Sequence, residues 1–323
     1  MPWALALLLL FAAPVAVLAQ AGASYPQKLV RIVVPLPAGG HADLIGRQLA
    51  SQLSAQWHQA VIVENRPGSN TIAAADFVAK APADGHTILM ATDSTMSINP
   101  HLFAQLPYDA GRDFAPVTQL IFVPMQLLAH PSVPAGDLAE LVALARAKPR
   151  ALNYASYGIG SAPHLAMEML KSKAGIDIVH IPYKGTADAI PATVGGQVQF
   201  TFSGIPSALP HVKAERLRAL ATGGPRRSPL APAVPTFAEQ GYPEVNSHAW
   251  FGLFVPVGTP RETIARIHRD AVRIVSEPGF RDRYIDAVGL DLVASSPEEF
   301  AAFLVRDRAS QARAVKVSGA RNE

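Results

Sequence analysis

The chain contains no cysteine. Disulfides, thiol nucleophiles and cysteine-ligated metals are therefore excluded, and an exported form would be held together by its apolar core. Charge is also scarce: Asp, Glu, Lys and Arg supply 16% of 323 residues, and the formal net charge is +3. The basic residues are dispersed, as in Arg226-Arg227 and Arg281-Asp282-Arg283, with no basic stripe or recognition module, so nucleic acid is not an expected partner. The ten histidines include no HExxH or other close pair at metal-ligand spacing, and no carboxylate cluster suggests a cation cage. Neither a metal nor a cofactor is expected. Long polar and low-complexity tracts are missing too, which marks a globular chain whose length suits two lobes or one large α/β domain.

Beyond the N-terminus no apolar run is long enough to span a bilayer. Residues 3–19, "WALALLLLFAAPVAVLA", are almost wholly apolar, with Pro14 inside and the small residues Val17 and Ala19 where a signal peptidase reads. The expectation is a signal peptide over residues 1–23, cleaved after Ala19 or Ala23, and a mature protein soluble in the periplasm. A membrane anchor is the competing reading, since no Lys or Arg precedes the run.

The rest alternates strand and helix patterns. "KLVRIVVPL" is β-branched and continuously apolar, as a buried parallel strand is, and "DLIGRQLASQL" carries Leu44, Ile45, Leu49 and Leu53 at helical spacing. "AVIVEN" (60–65) and "HTILMAT" (86–92) are further strands, with a helix over "TIAAADFVAKA" (71–81) between them. Strand material spans 115–130, and "GDLAELVALARAKP" is a helix with Asp137 near its start. "ALNYASYGIGSAPHLAMEMLKSKAG" and "IVHIPYKGTADAIPATVGGQ" repeat the strand, glycine turn and helix of the opening unit, the latter with Thr186 or Asp188 as its N-cap candidate. "RLRALATGGP" (216–225) and "HAWFGLFVPVGTP" (248–260) are strands, and two helices end the chain, the second opened by a Ser296–Glu299 capping box. This order predicts a mostly parallel, doubly wound α/β architecture.

Three junctions carry the candidate chemistry. The first, Pro35, Leu36, Gly39, Gly40, His41 and Asp43, is not a nucleotide loop. The Lys-Ser/Thr pair of a Walker loop is missing after Gly40, and so is the third glycine of a dinucleotide fingerprint. What remains is a glycine turn at a helix start, where free backbone N–H groups and the helix dipole favour a small anion; a plain structural turn is the alternative, and Asp43 is an N-cap candidate. The second, Ser156, Tyr157, Gly158, Gly160, Ser161 and His164, combines hydroxyls with backbone donors, the usual equipment for a carboxylate. Its glycines do not frame Ser161 as a hydrolase elbow would, and His164 is more often a cap or packing residue than a base. The third contributes Lys184, Thr186 and Asp188. Thr92, Ser94 and Ser203 lie beside strand ends, where open α/β sheets take ligands. In "ENRPG", Arg66 is placed to pair with Glu64 or Asp84.

Taken in order, "YPQKLVRIVVPLPAGGHAD", "VIVENRPGSNTIAAADFVAKAPADGHTILMAT", "INPHLFAQLPYDAGRDFAPV", "LNYASYGIGSAPHLAMEMLKSKAGIDIVHIPYKGTADAI", "SALPHVKAERLRALA" and "GLFVPVGTP" resemble the Bug family, the substrate-binding proteins of tripartite tricarboxylate transporters. The resemblance runs from Tyr25 to the C-terminus. It implies a type II periplasmic binding protein: two doubly wound α/β lobes joined by a crossing-strand hinge, with residues 24–124 and 250–323 in the first lobe and 125–249 in the second. It implies a small organic carboxylate held between the 35–43 and 156–161 loops, the membrane subunits of a transporter as partners, a monomeric state and no enzymatic activity. A sensory receptor docked on a kinase, and a secreted hydrolase using Ser161 and His164, are the alternatives. Departures from the family pattern fall at Leu36, Ala38, His41, Tyr157 and Ser203-Gly204. They leave a dicarboxylate, a tricarboxylate and an aromatic carboxylate equally open.

Overall fold

The computed structural model describes residues 25–320 apart from 184, 225 and 246, and without the side chains of Ser69 and Thr186. The expected signal peptide and Lys184 lie outside the described residues.

The chain opens with β1 (Val30–Val34), α1 (His41–Trp57), β2 (Val61–Asn65), α2 (Ile72–Ala79) and β3 (Thr87–Thr92). β1 pairs in parallel with both β2 and β3. Its residues Ile32 and Val33 are fully buried because helices cover both faces of the sheet, which accounts for the unbroken apolar run. A π-helical turn (Ser94–Ile98) and a short α3 (Asn99–Leu102) follow.

β4 (Phe114–Ala129) is 16 residues long and serves both lobes. Its first part pairs antiparallel with β9 (His248–Pro256) and its last five residues pair antiparallel with β7 (Phe200–Gly204). Pro116 has no N–H to give a ladder, and the register against β9 shifts beside it, between Pro116 and Thr118.

Between these two crossing strands lie α4 (Leu138–Ala147), β5 (Asn153–Ser156), α5 (Ala162–Ala174), β6 (Val179–Pro182), α6 (Thr186–Val194), α7 (Ile205–Lys213) and β8 (Arg218–Thr222). β5 pairs in parallel with β6 and β7. After β9 come α8 (Arg261–Ser276), α9 (Pro278–Tyr284), β10 (Asp291–Leu292) and α10 (Pro297–Ser318). The strand order is β2-β1-β3-β9-β4-β7-β5-β6, with β8 and β10 paired to β4. The parallel pairing expected from sequence holds within each lobe, and the antiparallel pairs gather at the crossing strands.

The first lobe draws its core from both ends of the chain. Leu49 and Leu53 of α1 pack with Leu253 of β9 and with Ile267 and Ile274 of α8. The Trp57 indole, 6% exposed, donates to Asp270 Oδ2 of α8 at 2.7 Å. The second lobe packs Tyr154, Leu165, Phe200 and Phe202 together, and Ala314 and Val315 from the end of α10 join them. The start of α10 belongs to the other lobe through Phe300 and Leu304, so this helix braces both.

Several local readings are corrected. Ser296 and Glu299 form the expected capping box, and Asp137 caps α4. The N-cap of α6 is Gly185, neither Thr186 nor Asp188, because the chain turns there with an extended glycine (φ 167°). Asp43 is not the N-cap of α1; Gly40 is. Among the described residues the tail holds three α-helices rather than two, and β7 and α7 were not singled out from the sequence.

Candidate functional site

The mouth between the lobes is set by topology. The C-terminal ends of the parallel strands β1 and β3 lie on one side of the shared β9–β4 pair, and those of β5 and β7 on the other. Each of β1 and β5 runs through a glycine turn into a helix, and no side chain caps either helix start. The first-turn N–H groups of α1 and α5 therefore have no side-chain acceptor, and the helix dipoles add partial positive charge.

The first loop is braced from behind. Gly39 takes φ +90°, a conformation costly for a residue with a Cβ. Its N–H donates to Asp43 Oδ2 at 2.9 Å, and Arg47 Nε donates to the same oxygen at 3.0 Å. Arg47 also donates to Asn65 Oδ1, and Asn65 Nδ2 donates to Leu36 O. Asp43, 3% exposed, thus serves as the anchor of the loop and not as a group aimed at a ligand. Burial alone would raise its pKa, but the Arg47 and Gly39 hydrogen bonds hold the carboxyl below the usual range. His41 is half-buried, and that burial lowers its pKa below the usual imidazole range. Arg66 pairs with Glu64, as one of its two expected partners, and its guanidinium lies 3.6 Å over the Phe77 ring. Asp84 instead pairs with Lys28.

At the end of β3, Thr92 is absorbed by a buried hydroxyl network that sequence reasoning missed. Thr92 Oγ1 and Thr95 Oγ1 are 3.3 Å apart, Thr95 Oγ1 donates to Thr71 Oγ1 at 2.9 Å, and Tyr108 donates to Thr95 O. Ser94 is partly exposed at the start of the π-helical turn. Asp93 beside it was also missed. It is 3% exposed, its Oδ2 has no hydrogen-bond partner, and burial together with the Asp307 carboxylate pushes its pKa up to about 7.

The second loop is tied at both ends. Ser156 Oγ lies 2.6 Å from His180 Nε2, Gly158 N–H donates to Ser156 Oγ at 3.1 Å, and Ser161 Oγ donates to Gly158 O at 2.7 Å. Tyr157 donates its hydroxyl proton to Phe202 O at 2.6 Å, which fixes the ring against β7. Gly160 N–H donates to His164 Nδ1 at 3.1 Å. Ile159 at the tip is 53% exposed.

Among the candidates, the structure therefore brings Pro35 to His41, Ser94, and Tyr157 to Ser161 to strand ends around one mouth, while Ser203 is fully buried in β7. Thr92, Asp43 and His164 stand behind it as supports. Asp188 is exposed on α6. The Ser161–His164 dyad is not assembled, because Ser161 is committed to Gly158 and His164 to Gly160. Ser156 does meet an imidazole, but it is fully buried, where no acyl substrate reaches it. A surface cavity of about 680 Å³ opens elsewhere, between residues 100–113 and α10; it shares no residue with the two loops. Among the described residues no group of three or more His, Cys, Asp or Glu is placed to hold a metal ion, and no helix is long and apolar enough to cross a membrane.

Comparison with known proteins agrees with this fold. Residues 45–319 match the model of the tripartite tricarboxylate transporter family receptor. Protein BugT of Bordetella pertussis is 32% identical over 92% of this chain and 91% of its own length. An R. palustris protein solved with adipate superposes with a TM-score of 0.79 at 30% identity, covering 92% of this chain and 99% of its own. MatC from Rhodopseudomonas palustris, solved with bound malate, gives 0.75 at 29% identity over 90% and 100%.

Proposed function

The chain belongs to the tripartite tricarboxylate transporter family of receptors, and from that premise we propose that it traps a small organic carboxylate between its lobes and delivers it to the membrane subunits of such a transporter. The observation that carries the reading is the pair of uncapped helix starts, on α1 and α5, at strand ends on opposite sides of the crossing strands. One carboxylate has two oxygens and accepts from both sets of donors only when the lobes are closed, so the anion shifts the population toward closure. The lobe division is 24–124 with 250–323, and 125–249. The protein acts in the periplasm as a monomer, without turnover.

The side chains around the mouth favour a carboxylate with an apolar body. Leu36, Tyr157 and the exposed Ile159 stand among them, and Arg47 and Arg66 are each engaged by carboxylates of the protein itself. Adipate and malate, which the neighbours bind, are the first ligands to try, with benzoate and citrate beside them. A ligand at a hundred times its Kd stabilises the fold by about 2.7 kcal/mol, which a thermal melt reads directly. Ligand-free protein that shifts with none of the four is evidence against carboxylate capture.

A further inference from the structure

Two imidazoles stack behind the second loop. His164 of α5 and His180 of β6 have ring centroids 4.2 Å apart and planes 21° from parallel, and Tyr154 stacks on His180 at 4.9 Å. Each ring holds one end of the loop: His180 touches Ser156 Oγ, and His164 Nδ1 accepts the Gly160 N–H. A nitrogen that accepts an N–H carries no proton, so His164 is neutral with its proton on Nε2. We propose that His164 and His180 are positioning residues for the 156–161 loop, and that carboxylate binding requires both rings to be neutral, so that acid releases the ligand.

The physical case follows from the contacts. A proton added to His164 Nδ1 faces the Gly160 N–H, donor against donor, and the loop has to move. A proton on each ring puts two cations in one stack. Burial comes first in holding both rings neutral, and His164 adds to it for His180, whose pKa falls to about 4. The charged groups that act on the pair are Glu168 and Lys171 of α5, one favouring and one opposing a proton. Glu168 is already occupied, because Lys171 Nζ and the Tyr154 hydroxyl both donate to its Oε1 at 2.8 Å. The groups on the packed elements are thus Tyr154 and Ser156 of β5, Glu168 and Lys171 of α5, and His180 itself. A neutral pair is the state they support, and proton entry on acidification competes with the loop geometry.

This inference rests on the 156–161 loop holding the carboxylate, and the experiment separates the two. Calorimetry with adipate, malate and benzoate at pH 7.5 comes first; if none binds, the carboxylate reading fails and takes this inference with it. With a ligand that binds, affinity is then followed from pH 7.5 to 4. His180→Gln keeps a polar group near Ser156 but does not titrate. It should bind within about threefold of the wild type at pH 7.5 and weaken about twofold less by pH 4, a difference in which the ligand's own titration cancels. His164→Ala strands the Gly160 N–H and should lose about tenfold at pH 7.5, while His164→Asn, whose amide oxygen accepts, should recover most of it. Identical pH profiles for wild type and His180→Gln, or unchanged binding by His164→Ala, overturn the proposal. Imidazole nitrogen NMR on the unmutated protein is independent of variant folding: a protonated His164 Nδ1 at pH 7.5 overturns it equally.

Discussion

Gly160 meets Leu102 across the mouth: a Cβ on Gly160 would lie 2.5 Å from Leu102 Cδ2. The second loop thus leaves no room for a Cβ against the Leu102 side chain, and Gly160 sits there at φ +77°. Gly160→Ala carries both a left-handed strain of about 1 kcal/mol or more and an overpacking cost of about 1–3 kcal/mol. The expected result is a lower melting temperature and weaker carboxylate binding. Adding Leu102→Ala relieves the clash but not the strain, so the double variant should recover only part. Equal melting and binding in wild type and Gly160→Ala would show that the approach is not needed.

Asp93 makes the pH dependence of stability run opposite to an ordinary salt-bridged carboxylate. Its folded pKa of about 7 lies above the ordinary aspartate value of 3.8, so between those values the folded state holds a proton that the unfolded chain has released. Stability is fully present below about pH 4 and declines as pH rises toward 7, by up to roughly 4 kcal/mol for a shift of this size. Asp93→Asn removes this dependence. Urea unfolding at pH 5 and pH 8 should show the variant gaining on the wild type at the higher pH; a constant difference between them would be incompatible with a buried protonated Asp93.

The bond between Trp57 and Asp270 joins the beginning of the chain to its end. Asp270→Ala leaves the buried indole N–H without its acceptor, at about 1–3 kcal/mol, and strips Arg266 and Arg269 of their partner. Asp270→Asn keeps an acceptor oxygen and should cost less. Denaturant midpoints for the two variants check the ranking, which fails if they are equally destabilised.

Tyr157 tests how firmly the second loop must be held. Tyr157→Phe loses the bond to Phe202 O and about 0.5–1.5 kcal/mol with it. If that bond keeps the loop ready for ligand, the same energy appears as a loss of about two- to tenfold in affinity, measured by calorimetry. A stability loss with unchanged affinity would assign the hydroxyl to the fold alone.

What could be read from sequence follows from range. The β1–α1 unit announces itself within about twenty residues, through an apolar run, a glycine turn and helical spacing, and Ser296 with Glu299 are three apart. The supports behind the loops are different in kind. His180 reaches Ser156 from 24 residues away, and the Asp93 carboxyl feels Asp307 from the far end of the chain. Nothing periodic marks either pairing. Asp43 was misjudged for a local reason: as an acidic residue near a helix start it has the type of an N-cap, yet the glycine turn places it three residues in, where its side chain folds back onto Gly39. Thr186 and Asp188 failed similarly, since Gly185 makes the turn before either is reached.

The composite core of the first lobe also dictates an order of events during synthesis. Leu49 and Leu53 emerge early, but Leu253, Ile267 and Ile274, which cover them, are about two hundred positions later. The cluster around Tyr154, Leu165 and Phe200 needs little beyond residue 249 except the last turns of α10. The middle of the chain therefore has nearly all its partners early, whereas a nascent chain halted near residue 250 can lay α1 on β1 and β2 but leaves the face that Leu253, Ile267 and Ile274 cover exposed.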